Sequence, residues 1–214
     1  MINLKILRAY LISVGCLFLS ACVLVNDPKP ATSPPPESTI EIQLNELAHS
    51  HFKQVEARFQ TNQSRALVFR VLSDIDKTSQ WLTRVEDLQV LAVYNNHQYL
   101  LRTLLNSPWP FRDRELITCV ETAFEDSLTI INIYSCSDRV PENEDYLRLQ
   151  AVESKWQLRE LSDSVLEVQY QTWIDPAGNV PAFIFNRELI KNTKSDLKKL
   201  QQIIEESHLS DFAY

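Results

Sequence analysis

The chain has 214 residues, a formal charge of −7, 44% hydrophobic residues and only two glycines, Gly15 and Gly178. A chain this acidic is a poor partner for nucleic acid or for an anionic bilayer surface. With Gly178 the one glycine beyond the N-terminal segment, a phosphate-cradling loop and a GxSxG nucleophile elbow are both excluded, and nucleotide chemistry with them.

The first element is a basic stretch with Lys5 and Arg8, followed by an apolar run ending at Leu19-Ser20-Ala21-Cys22. Spanning a bilayer takes about 20 apolar residues, so this run reads as a secretion signal rather than a membrane span. The stretch resembles the lipobox of bacterial lipoproteins, which implies cleavage before Cys22 and attachment of lipid to its sulfur. Residues 1–21 are then a signal peptide, and losing Lys5 and Arg8 makes the mature chain two charges more negative. Residues 22–38 form a tether, because Asn26 to Ser38 is rich in proline and cannot build a core. As extended polyproline chain, that stretch reaches about 40 Å. Val23 follows the cysteine where an aspartate marks inner-membrane retention in enterobacterial-type lipoproteins, so the expected location is the cell envelope, lipid-anchored and periplasm-facing, with the outer membrane favoured.

Residues 39–214 fit one domain. Lys53 to Gln60 alternates as a half-buried strand, Ser64 caps a short helix over Arg65 to Leu72, and Trp81 anchors its exit. Period-two segments follow at Glu86 to Tyr94, Gln98 to Leu105, Arg114 to Phe124, Leu128 to Cys136, Tyr146 to Leu161 and Val165 to Ile174, an antiparallel meander. A long helix closes the chain after Gly178-Asn179, with Pro181 in its first turn and Phe183, Ile184, Ile190, Leu197, Leu200 and Ile204 as an apolar stripe. Only the apolar face of the sheet matches that stripe in size. The expected architecture is therefore α+β, a curved antiparallel sheet gripping one long C-terminal helix, with an internal apolar cavity.

The alternation places Leu88, Val90, Tyr94, Val120, Ile131, Ile133, Trp156, Leu158, Leu166, Val168 and Tyr170 on the inner face, with Thr118 as a polar exception. Phe183 and Ile184 face them from the helix. Cys119 and Cys136 fall on facing strands and on the polar outer face. Cys16 leaves with the signal and Cys22 takes lipid, so these two have one pairing open to them in an oxidising compartment, and a disulfide is expected. Two free thiols are the alternative; a zinc site lacks the ligand spacing.

The segment Ser107-Pro108-Trp109-Pro110-Phe111-Arg112-Asp113-Arg114-Glu115-Leu116 resembles the START family of lipid-binding domains, with Glu115 in place of an aspartate. Val71-Leu72-Ser73-Asp74 with Trp81, Pro141 with Arg148, and Gly178 to Phe183 follow in the family's order, so the resemblance covers roughly Phe52 to Ile204. It implies a helix-grip fold whose tunnel holds one hydrophobic molecule, gated by the loop from Arg139 to Tyr146 and the start of the last helix. Arg102, Arg114, Glu115 and Arg148 are the charged candidates near the mouth, each read sooner as a structural ion pair or a solvated group than as a ligand contact.

His49 and His51 alternate at the domain's entry without a third ligand, and His97 and His208 have no nucleophile beside them. No metal, cofactor or catalytic residue is therefore assigned, and the expectation is a binding protein rather than an enzyme. Its expected partners are a lipid, sterol-like or isoprenoid ligand and, through the anchor, a membrane. The alternatives are a cyclase or hydrolase of the same fold and a closed-core scaffold.

Overall fold

A computed structural model describes residues 39–108 and 110–212. The signal peptide, Cys22, the tether and Trp109 lie outside the described residues. The strands are β1 (Glu41–Leu47), β2 (Ser50–Thr61), β3 (Val85–Asn95), β4 (Gln98–Leu105), β5 (Arg114–Glu125), β6 (Leu128–Ser135), β7 (Leu147–Arg148), β8 (Val152–Ser162) and β9 (Val165–Ile174). The helices are α1 (Arg65–Ser73), α2 (Ile75–Trp81) and α3 (Ala182–Glu206). The sheet runs β1-β2-β9-β8-β6-β5-β4-β3, antiparallel throughout, with the short β7 added in parallel to β5. This is the curved sheet and long C-terminal helix that the alternation and the final apolar stripe require.

Two elements escape the sequence reading. β1 pairs with β2 through Leu44 opposite Val55 and Ile42 opposite Ala57, so its alternation continues the inner face by one strand. α2 begins where Asp74 ends α1: the Asp74 carboxylate accepts from the Asp76 and Lys77 amides at 3.0 and 3.2 Å, a cap that restarts the helix in a new direction. The stretch expected as one strand from Tyr146 to Leu161 is broken between Arg148 and Val152, because Leu147 and Leu149 spend their amides on the carbonyls of Asp113, just before β5, and Glu115 within it. Ser64 caps α1 as expected, its hydroxyl accepting from the Leu67 amide at 3.2 Å.

The core is built where the C-terminal half of α3 meets the sheet. Leu197, Leu200 and Ile204 are buried against α1 residues Leu67, Val68 and Val71 and the sheet residues Phe59, Leu158 and Val168. Full burial of side chains this size contributes about 1.5–3 kcal/mol each. The buried stripe of α3 is Asn186, Thr193, Asp196, Leu197, Leu200 and Ile204. Ile184 and Ile190 are half-buried at its margin, and Phe183, expected on the stripe, is 73% exposed. Ala177 and Gly178 both take left-handed φ, 53° and 66°, and this tight reversal delivers the chain into α3. Among the described residues no helix is long and apolar enough to cross a membrane.

Candidate functional site

The inner wall is laid down by strand register. One row carries Tyr99, Val120, Ile133, Ser154, Thr172 and Val55 across six strands, and the next carries Thr122, Ile131, Trp156, Tyr170 and Ala57. Leu158, Leu166 and Val168 continue it toward the buried end of α3. Of the residues read as inner from sequence, Leu88, Val90, Thr118, Val120, Ile131, Ile133, Trp156, Leu158, Leu166, Val168 and Tyr170 share this face. They do not form a uniform core. Leu158, Leu166 and Val168 are sealed, whereas Leu88, Ile133 and Tyr170 keep part of their surface and Val90 is 41% exposed.

α3 explains the gradient, because its principal neighbours are β1, β2, α1 and α2 at one side of the sheet. β3 meets α2 instead of α3, and its inner residues Leu88 and Val90 keep part of their surface. Tyr170 is largely enclosed: burial raises its hydroxyl pKa, yet the residue retains some accessible surface. Its ring stacks on Trp156 at 4.1 Å and 26°, and Trp156 in turn meets the edge of Trp81 at 6.0 Å. Ser154 and Thr172 share a hydrogen bond of 2.7 Å beside the Tyr170 hydroxyl, which interacts with both.

Asp196 of α3 is close enough to Tyr170 to act on it electrostatically. It accepts from the Thr83 amide at 3.2 Å and the Thr83 hydroxyl at 2.5 Å, and burial nevertheless pushes its pKa above the usual carboxylate value.

Tyr94 does not belong to the inner face. The β3–β4 register slips between Val90 and Ala92 and again between Val93 and Asn95. Each extra residue reverses the faces downstream, so Ala92 packs on the outer side and the Tyr94 hydroxyl accepts a 3.4 Å bond from Arg139.

Three of the four mouth charges also lie on the outer face. Glu115, 1% exposed, accepts from Arg102 Nε at 2.6 Å and from Arg148 Nε at 2.7 Å. Arg148 spends its remaining donors on the carbonyls of Ser137, Val140 and Pro141, which pins the expected gate loop at its root. The triad is an internal clamp in which two guanidinium groups share one carboxylate. Arg114 has inner-face parity at the first residue of β5. It ties Ser107 Oγ at 2.7 Å to the Pro176 carbonyl at 3.4 Å, and burial lowers its pKa.

Cys119 and Cys136 form a disulfide, with Cα atoms 5.7 Å apart. They lie on the outer face as expected, but that face is apolar there: both are 7% exposed within a small cluster with Leu100 and Ile117, covered by Val140. His49, His51, His97 and His208 are all exposed, and the His49 ring packs edge-on against Trp173 at 5.1 Å. A separate groove of about 1110 Å³, open to solvent, runs between the start of β1, the end of β2 and the flank of α3 that carries Lys194 and Lys198. None of the candidate site residues read from sequence lines it.

A sheet in this order gripping one C-terminal helix is the START-like helix-grip fold. The STAR-related lipid transfer protein of Xanthomonas axonopodis superposes with a TM-score of 0.71 at 17% identity, covering 81% of this chain and 97% of that one. Human STARD10 gives 0.71 at 16% identity over 84% and 77% of the two chains. The Zhui aromatase/cyclase of a Streptomyces species gives 0.51 at 11% identity over 77% and 94%. At these identities the likeness is one of fold. In sequence, the uncharacterized protein PA1579 of Pseudomonas aeruginosa is 20% identical over 201 residues, 94% of this chain and 98% of its own length. No family model matches the chain.

Proposed function

We propose that this protein holds one hydrophobic molecule, a lipid, sterol-like or isoprenoid compound, between the inner wall of the sheet and the N-terminal half of α3. The observation that carries this reading is the graded wall: sealed at Leu158 and Val168, still accessible at Ile133, Tyr170 and Val90. An apolar ligand removed from water there gains about 25 cal/mol per Å². The Xanthomonas neighbour, named for lipid transfer, supports the same class of ligand. Lipidated Cys22 and the proline-rich tether would hold the domain at a bacterial membrane, periplasm-facing, where such molecules are found. The protein acts as a binder or carrier without chemistry of its own.

Native mass spectrometry with lipid extraction on the Cys22→Ser chain, purified without detergent, tests the binding. A stoichiometric hydrophobic molecule is expected; an empty protein that also takes up no fluorescent lipid overturns the reading. Fractionation of cells expressing Cys22→Ser tests the anchor, which fails if the variant stays on membranes.

One observation favours a second reading. Asp196, with its raised pKa, lies close enough to Tyr170 to influence it, which is an acid at an apolar wall in a fold that a cyclase shares. Turnover of an apolar substrate that vanishes in Asp196→Asn while binding persists would establish that reading.

A further inference from the structure

The polar groups of the inner wall narrow the ligand class, an inference that rests on the binding reading above. Ser154, Thr172 and Tyr170 stand together on β8 and β9, with the apolar Val55, Ala57, Ile131, Ile133 and Trp156 in the same two rows. The next row toward the start of β5 sets Thr118 opposite Ser135. The Ser135 hydroxyl is buried with no partner, and so is the Trp81 indole N–H in the aromatic stack that ends at Tyr170.

Each hydroxyl brings one donor and two acceptor lone pairs. Bonds among Ser154, Thr172 and Tyr170 use up donors faster than acceptors, so the cluster offers spare lone pairs to whatever lies against it. A group that can both donate and accept fits such a cluster; a carboxylate or phosphate, which only accepts, does not. The charges around it point the same way. Arg102 and Arg148 are on the outer face and already clamp Glu115, and Arg114 is held at the rim by Ser107 and Pro176. The ionisable group near Tyr170 is Asp196, an acid engaged with Thr83. An anionic headgroup brought here would lose its water and face a carboxyl whose charge Arg84 and Lys199 already oppose. An amine would have to displace Thr83 from Asp196.

We propose that Ser154, Thr172 and Tyr170 form a subsite for the hydroxyl of an uncharged amphiphile, an alcohol of lipid, sterol or isoprenoid type, and that it discriminates against anionic lipids.

The test uses the Cys22→Ser chain and probes that share one tail: 10-(1-pyrenyl)decanol, 1-decylpyrene, 10-(1-pyrenyl)decanoate and 10-(1-pyrenyl)decylamine, titrated by fluorescence at neutral pH. The alcohol is expected to bind about fivefold to tenfold more tightly than the hydrocarbon and at least about tenfold more tightly than the carboxylate. Tyr170→Phe, which keeps the stack on Trp156, and Ser154→Ala should each shrink the alcohol-to-hydrocarbon ratio toward one. A partly unfolded variant loses all probes alike and leaves that ratio unmoved, so the ratio measures the subsite. Equal binding of alcohol and hydrocarbon, a carboxylate or amine binding as tightly as the alcohol, or a ratio unchanged in both variants overturns the subsite and leaves the binding reading standing. Binding of none of the four overturns both.

Discussion

Glu115 and Arg148 stand opposite each other where β7 joins β5, with Arg148 Nη2 2.6 Å from Glu115 Oε2 and side-chain exposures of 1% and 3%. Arg102 closes the other carboxylate oxygen at 2.6 Å. A carboxylate this deep is tolerable only because two guanidinium groups replace its water. Removing it strands both cations, so Glu115→Ala should lose about 3–5 kcal/mol of stability by urea unfolding. Arg148→Ala should cost a similar amount and also free the carbonyls of Ser137, Val140 and Pro141, raising amide exchange between residues 137 and 146. Unchanged exchange in that loop would show that Arg148 is not what holds it.

The Cys119–Cys136 bridge closes a short loop, the two residues being 17 apart in sequence. A loop of this size is worth about 3 kcal/mol through restriction of the unfolded chain. The double variant Cys119→Ser, Cys136→Ser should unfold at lower urea by about that much, and reductant should shift the native protein toward it. Thiol labelling of the denatured, unreduced protein should find neither cysteine free.

Asp196 sets a pH dependence. Its folded pKa is raised above the unfolded value, so between those two values the folded state binds more protons, and stability falls as pH rises. The stabilising contribution is complete below the unfolded carboxylate pKa and is lost as pH climbs through the folded one. Asp196→Asn keeps an acceptor for Thr83 and removes the titration. The variant should therefore gain on the native protein as pH is raised from about 4 to 7. A stability difference flat over that window would refute a raised folded pKa.

The face of α3 is tested by a pair of substitutions. Leu200→Ala empties a site with 0% exposure and should cost about 2–5 kcal/mol. Phe183→Ala removes a ring that is 73% exposed and should change stability by no more than about 0.5 kcal/mol. Thermal unfolding of the two variants measures both.

Much of the inner wall was legible because alternation is a local property. Val120, Ile131, Trp156, Leu158, Val168 and Tyr170 each fall on the face that period two assigns. The final helix was legible from Leu197, Leu200 and Ile204, whose spacing puts them on one stripe, and the Ser64 cap from its own side chain.

The sequence alone therefore determined the class of elements and the sidedness of each unbroken strand, since both follow from backbone geometry within a few residues. Tertiary structure decided the rest. The slip at Leu91 turned Tyr94 outward because a bulge is set by pairing across the hairpin with β4 and leaves no mark in the alternation of β3 itself. Glu115, Arg102 and Arg148 became a closed clamp rather than a mouth because the sign of a charge is local but its partner is not. The uneven seal of the inner wall has the same origin: where α3 lies on the sheet depends on its contacts with β1, β2, α1 and α2 together, and no single segment encodes that placement.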